Sequence, residues 1–145
     1  MDINSIRRDS ASIEAGQWIG DIPGFGDVRF KVRGLTSPTA VALRSRKERK
    51  VPIEDRERDG SLKPQVALRL MGEILHEACL LDWEGITDGE KPVAYDSEQA
   101  KAWLTDPDFM SFADAVAYAA GVVDRTRAGQ TEALSKNSAA PSRGK

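Results

Sequence analysis

The 145 residues are sized for one domain, are 40% hydrophobic and 30% charged, and carry a formal net charge of −2. That balance supports a hydrophobic core and gives no chain-wide attraction to nucleic acid or to a membrane surface. The single cysteine, Cys79, excludes an internal disulfide and a cysteine-based zinc site, and it fits a reducing compartment. Residues 1–8 lack the apolar run of a secretory signal. The apolar stretches around Leu80 and over 117–123 fall far short of the ~18 to 20 residues of a membrane span. The expected location is therefore the cytoplasm.

Residues 1–15 are polar and read as a flexible lead-in. From Gly16 the pattern becomes β-like, with Gln17, Trp18 and Ile19 forming a short strand. A turn rich in glycine and aspartate follows, and it carries Phe25. Residues 28–33 then alternate strictly, with Val28, Phe30 and Val32 on one face and Arg29, Lys31 and Arg33 on the other. A period of two marks a half-buried strand. A hairpin over 16–35 is marginal alone and has to pack on helices.

Ser37-Pro38 is an N-cap followed by proline, opening a helix over 38–50 that ends in the basic run Arg44, Arg46, Lys47, Arg49 and Lys50. A charged linker follows. Leu62, Val66, Leu70, Ile74 and Leu75 fall at helical spacing and predict a second helix over 61–82, with Ser61 as its cap and Gly85 just beyond its end. Asp88-Gly89 is a turn, and 91–95 reads as an extended connector. Ser97 opens a third helix over 97–105, carrying Trp103. A fourth, over 108–128, carries Phe109, Phe112, Val116, Ala119 and Val123. Residues 135–145 read by composition as a disordered tail. The expected fold is α+β and mainly α, one domain over 16–134 with an N-terminal β-hairpin packed on a bundle of about four helices.

No constellation of residues carries catalysis or metal chemistry. His76-Glu77 resembles the start of a zinc-protease motif, but it is the lone histidine, and a two-histidine site is impossible. Cys79 follows three residues later inside an apolar run, where a thiol is inert. Gly20, Gly24 and Gly26 match no phosphate-cradling pattern, and the acidic residues after Glu84 lack calcium-loop spacing. The expectation is a binding protein without cofactor or metal, and not an enzyme. Its charge is polarised: residues 28–50 hold eight Lys/Arg against one Glu, and 82–114 hold nine Asp/Glu against two Lys. The basic run lacks interleaved aromatics and reads as a solvated helix end or as a docking patch for an acidic protein partner, with no nucleic acid or membrane implied.

Residues 75–86 end in Leu-Leu-Asp-Trp-Glu-Gly-Ile. A Gly/Asp turn, Pro92-Val93-Ala94-Tyr95 and a helix opening Ser-Glu-Gln-Ala with Trp103-Leu104 follow. With the strand at 28–35 and the helix after Ser37, this order over about residues 16–125 resembles the small tail assembly chaperones of long-tailed phages and prophages. The resemblance implies a cytoplasmic helical protein that binds the tape-measure protein, a long helical polypeptide, and recruits tail-tube subunits; the opposed basic and acidic segments also suit self-association along such a client. Trp18, Phe25, Arg44, Arg46, Lys47, Trp83, Glu84, Gly85 and Trp103 are the candidate partner contacts, aromatics being common interface anchors, with capping of the helical core as the competing reading of Trp83 and Trp103. The competing expectation is a structural virion component, such as a head–tail connector or tail-terminator subunit.

Overall fold

The structure, a computed structural model, describes residues 1–129, so the tail expected over 135–145 lies outside the described residues. Strands β1 (Gln17–Ile19) and β2 (Arg29–Val32) pair antiparallel, with Trp18 opposite Lys31 and Ile19 opposite Phe30. The alternation is realised as read: Val28, Phe30 and Val32 are buried, while Arg29, Lys31 and Arg33 stay partly exposed.

The hairpin is not the whole sheet. The helix expected over 61–82 stops early, as α3 (Pro64–Ile74), and one wide π turn (Leu75–Cys79) hands the chain to β3 (Leu80–Glu84). β3 pairs with the free edge of β2, giving the order β1-β2-β3 and placing Phe30 opposite Trp83. The physical reason is that β2 would otherwise present unpaired backbone groups. The junction is held by Arg33, whose backbone N–H donates to the Cys79 carbonyl (2.8 Å) and whose guanidinium donates to the Ala78 carbonyl (2.8 Å).

The lead-in expected to be flexible is also structured. A 3-10 turn (Ile3–Ile6) precedes α1 (Ser10–Ala15), which is capped by the Asp9 carboxylate on the Ser12 N–H and buries Ile13. The Ala128 N–H donates to the Arg7 carbonyl at 2.8 Å, tying both ends of the described chain together. One buried isoleucine gives no periodicity, so burial here comes from tertiary packing alone.

α2 (Pro38–Arg49) starts as expected, with the buried Ser37 hydroxyl accepting from the Ala40 N–H. Ser61 does not cap α3. Its N–H and hydroxyl both bond the Asp59 carboxylate, and α3 begins at Pro64 without a side-chain cap. After a two-residue ribbon, β4 (Thr87–Asp88) with β5 (Lys91–Pro92), α4 (Ser97–Leu104) is capped by Asp96. A 3-10 turn (Pro107–Phe109) leads into α5 (Met110–Asp124). α5 crosses the inner face of the sheet, where Phe112 meets Phe30 edge-on at 5.5 Å and Trp83 at 5.9 Å. The architecture is thus α+β and mainly α.

Candidate functional site

The candidate contacts read from the sequence do not form one surface. Pairing puts Ile19, Phe30 and Trp83 on the inner face of the sheet and Trp18, Lys31 and Asp82 on the outer face. Trp83 is only 4% exposed, so of its two readings, partner anchor and cap of the helical core, the structure realises the second: it is a core residue. Its ring stacks on Trp103 at 5.3 Å and meets Tyr95 at 5.0 Å, and its indole N–H donates to the Val93 carbonyl at 2.8 Å. A buried tryptophan needs such a partner. Trp103 is half-buried and stacks in turn on Phe109, so the aromatic series runs from the core to the surface.

Glu84 pairs with Arg29 at 3.3 Å, and the Arg29 guanidinium lies 5.2 Å over the Trp18 ring. Trp18 is therefore half-covered by its own sheet neighbour. Phe25 is half-buried and tilts against Phe30 at 6.2 Å. Gly85 has φ of 87°, and a Cβ there would sit 3.1 Å from the Asp27 carbonyl oxygen. Its role is to turn the chain out of β3 beside the hairpin loop. Lys47, expected in a docking patch, faces inward to Glu77 (2.9 Å) and Glu73 (3.1 Å), and the Glu77 bond with these charges holds its amine above the usual lysine range. Arg44 pairs with Glu48 at 3.6 Å, whereas Arg46 is exposed and makes no hydrogen bond or ion pair among the described residues.

The residues considered for chemistry are quiet. Burial pushes the Cys79 thiol up to about 12. The His76 Nε2 lies 3.0 Å from the Ser97 carbonyl oxygen and 3.2 Å from its hydroxyl, across to the start of α4. Among the described residues no group of three or more His, Cys, Asp or Glu could hold a metal ion, and no helix is long and apolar enough to cross a membrane.

What the sequence reading missed is a cleft of about 300 Å³ between α3 and α5, closed at one end by the exit of α4. Leu68, Met71, Gly72 and Leu75 form one wall, Met110, Ala113 and Ala117 the other, and Leu104 with Pro107 the end. α3 and α4 meet so closely that a Cβ on Gly72 would lie 2.3 Å from the Leu104 carbonyl oxygen. Leu68 is 58% exposed and Met110 44%. On the other side of α5 a shallower cleft of about 420 Å³ runs past Ile22, Pro23, Phe25 and Tyr118. Asp114 stands on the rim of both clefts. The signal that could have found this surface was apolar residues off the core stripe. Leu68 breaks the Val66–Leu70–Ile74 spacing, and Met110 stands outside the Phe112–Val116–Val123 series.

Fold and surface thus describe a small α+β protein with an apolar cleft bordered by charged residues. A family model described as YdaY prophage protein matches residues 37–137, more than half of the chain, and the chain belongs to that family. The match spans α2 to α5 and so takes in both walls of the α3–α5 cleft. No curated protein and no solved structure matches the chain.

Proposed function

We propose that this prophage protein is a tail assembly chaperone, which holds the tape-measure protein and recruits tail-tube subunits while the tail is built. The observation that carries the reading is the apolar α3–α5 cleft, with Leu68 and Met110 exposed at its mouth. Single exposed apolar side chains are ordinary, but a lined concave surface of this kind suits the apolar stripe of a helix. The flexible thioethers of Met71 and Met110 adapt to successive turns of a long, irregular client. Membership in a prophage family supports the phage context, and the order of motifs over 75–104 supports the chaperone in particular.

The action proposed is holding, with no bond made or broken. A cleft of this size contributes a small interface, in the transient class below about 1,200 Å² in total, so the client can be released as tube subunits replace the chaperone. The exposed end of α2, with Arg44, Arg46, Arg49 and Lys50, offers a basic patch for an acidic tube subunit or for the acidic segment of another copy. Such contacts along one client would give the recruitment its direction.

Co-expression with the tape-measure protein of the same prophage tests the reading. Its soluble fraction should rise several-fold when the chain is present, and an unchanged fraction would contradict it. Finding the chain at ring stoichiometry in purified virions by mass spectrometry would favour the structural-subunit alternative.

A further inference from the structure

Asp114 lies on the outward ridge of α5, with Met110 one turn before it and Tyr118 one turn after. Its carboxylate makes no hydrogen bond or ion pair among the described residues, although it stands beside apolar side chains in both clefts. Nothing in the cleft lining neutralises it. The one cation lining the cleft among the described residues, Arg69, is on the opposite wall and reaches Glu73 at 3.8 Å. Asp106, at the closed end, adds a second carboxylate. The α5 wall is therefore negative and uncompensated where it borders an apolar groove.

We propose that the α3–α5 cleft seats an amphipathic partner helix carrying lysine or arginine on the flank that meets Asp114. This rests on the reading that the cleft holds a client, and it names the client's chemistry. Apolar side chains at i, i+3 or i+4, and i+7 would fill the space between Leu68, Met71 and Met110. From Met110 to Ala117, α5 rises about 10 Å, so the seated segment is two to three turns long. An ion pair at the edge of an apolar contact is less screened than one in open water, so the cation sets specificity and register. A second copy of the chain is a poor occupant. Two-fold pairing of this face with itself would bring together two walls that each carry Asp114 and Asp106, with Arg69 the one cation that lines each cleft among the described residues.

The test uses the full chain and two synthetic peptides of about 18 residues, long enough to hold a helix. Both carry the same leucine stripe, flanked by lysine in one and glutamate in the other, and binding is read by fluorescence anisotropy. The lysine peptide should bind about tenfold more tightly, Asp114→Lys should invert the preference, and Leu68→Glu should abolish binding of both. Equal binding, no binding of either, or a preference unchanged in Asp114→Lys overturns the proposal. So does a dimer dissolved by Leu68→Glu, or a gain in peptide affinity on deleting residues 130–145, since either gives the cleft another occupant. The two readings fail separately. If the variants still hold the tape-measure protein, the cleft proposal is wrong and the chaperone stands. If the peptides discriminate but the tape-measure protein is not held, the chaperone reading is wrong and the cleft stands.

Discussion

The two faces of α5 use similar residue types to opposite ends. On the inner face Phe112, Val116, Ala119 and Val123 are 7% exposed or less and lie against the sheet. On the outer face Met110 and Tyr118 are each 44% exposed, and Asp114 stands between them without an internal partner. The inner face is closed by shape: alanines let the helix approach the sheet, and Phe112 fills the gap between Phe30 and Trp83. The outer face is left open because α3 packs on the end of α4 at Gly72 and Leu104, and a cleft remains between α3 and α5. One helix thus anchors the domain and lines its binding surface, and the two roles should separate under mutation.

The largest expected effect is on the closed face. Trp83→Ala removes the ring that joins Tyr95, Trp103 and Phe112, and it should cost about 3–5 kcal/mol in urea unfolding. A loss below about 1 kcal/mol would mean that the aromatic cluster is not the anchor of the fold. Gly72→Ala sits at the boundary between the two regions. Helix propensity alone predicts a gain of about 1 kcal/mol, but the added Cβ meets the Leu104 carbonyl oxygen. We expect a net loss of about 1–3 kcal/mol in thermal or urea melts, so the sign of the change decides.

On the open face, Leu68→Glu and Asp114→Lys should each move stability by no more than about 0.5 kcal/mol, since both sites are exposed. The same variants should lose or invert client binding. A large destabilisation would show that the face is structural after all. At Lys47, removal of the amine as Lys47→Met should cost at most about 1 kcal/mol, because the amine keeps solvent contact. Glu77 and Glu73 hold this amine above its usual value of 10.5. Its contribution is thus fully present below that pH and is lost as pH rises through the folded value. Urea midpoints of wild type and variant should differ by a constant amount from pH 7 to 9 and converge only above about 10.5.

Much of this fold was legible in the sequence wherever a period was local. The alternation at 28–33, the Ser37-Pro38 cap and the helical spacing after Phe109 each became the element expected. β3 was not legible, because Leu80 and Leu81 continue the apolar run of α3 and only the open edge of β2 turns them into a strand. α1 was hidden for a related reason, since Ile13 is buried by contacts with distant residues and not by a stripe of its own. The candidate site was less legible than the fold. Tryptophan and a basic run are visible in a sequence, yet Trp83 went into the core and Lys47 into an internal ion pair. The cleft is made by segments some forty residues apart, 65–75 and 104–117, and only the misplaced Leu68 and Met110 hint at it.

Hydrogen exchange on the complex with co-expressed tape-measure protein tests the central claim most directly. The account predicts new protection over 68–72 and 107–118, the two walls of the cleft, with the sheet unchanged. Protection confined to β1 and β2, or to the basic end of α2, would contradict it.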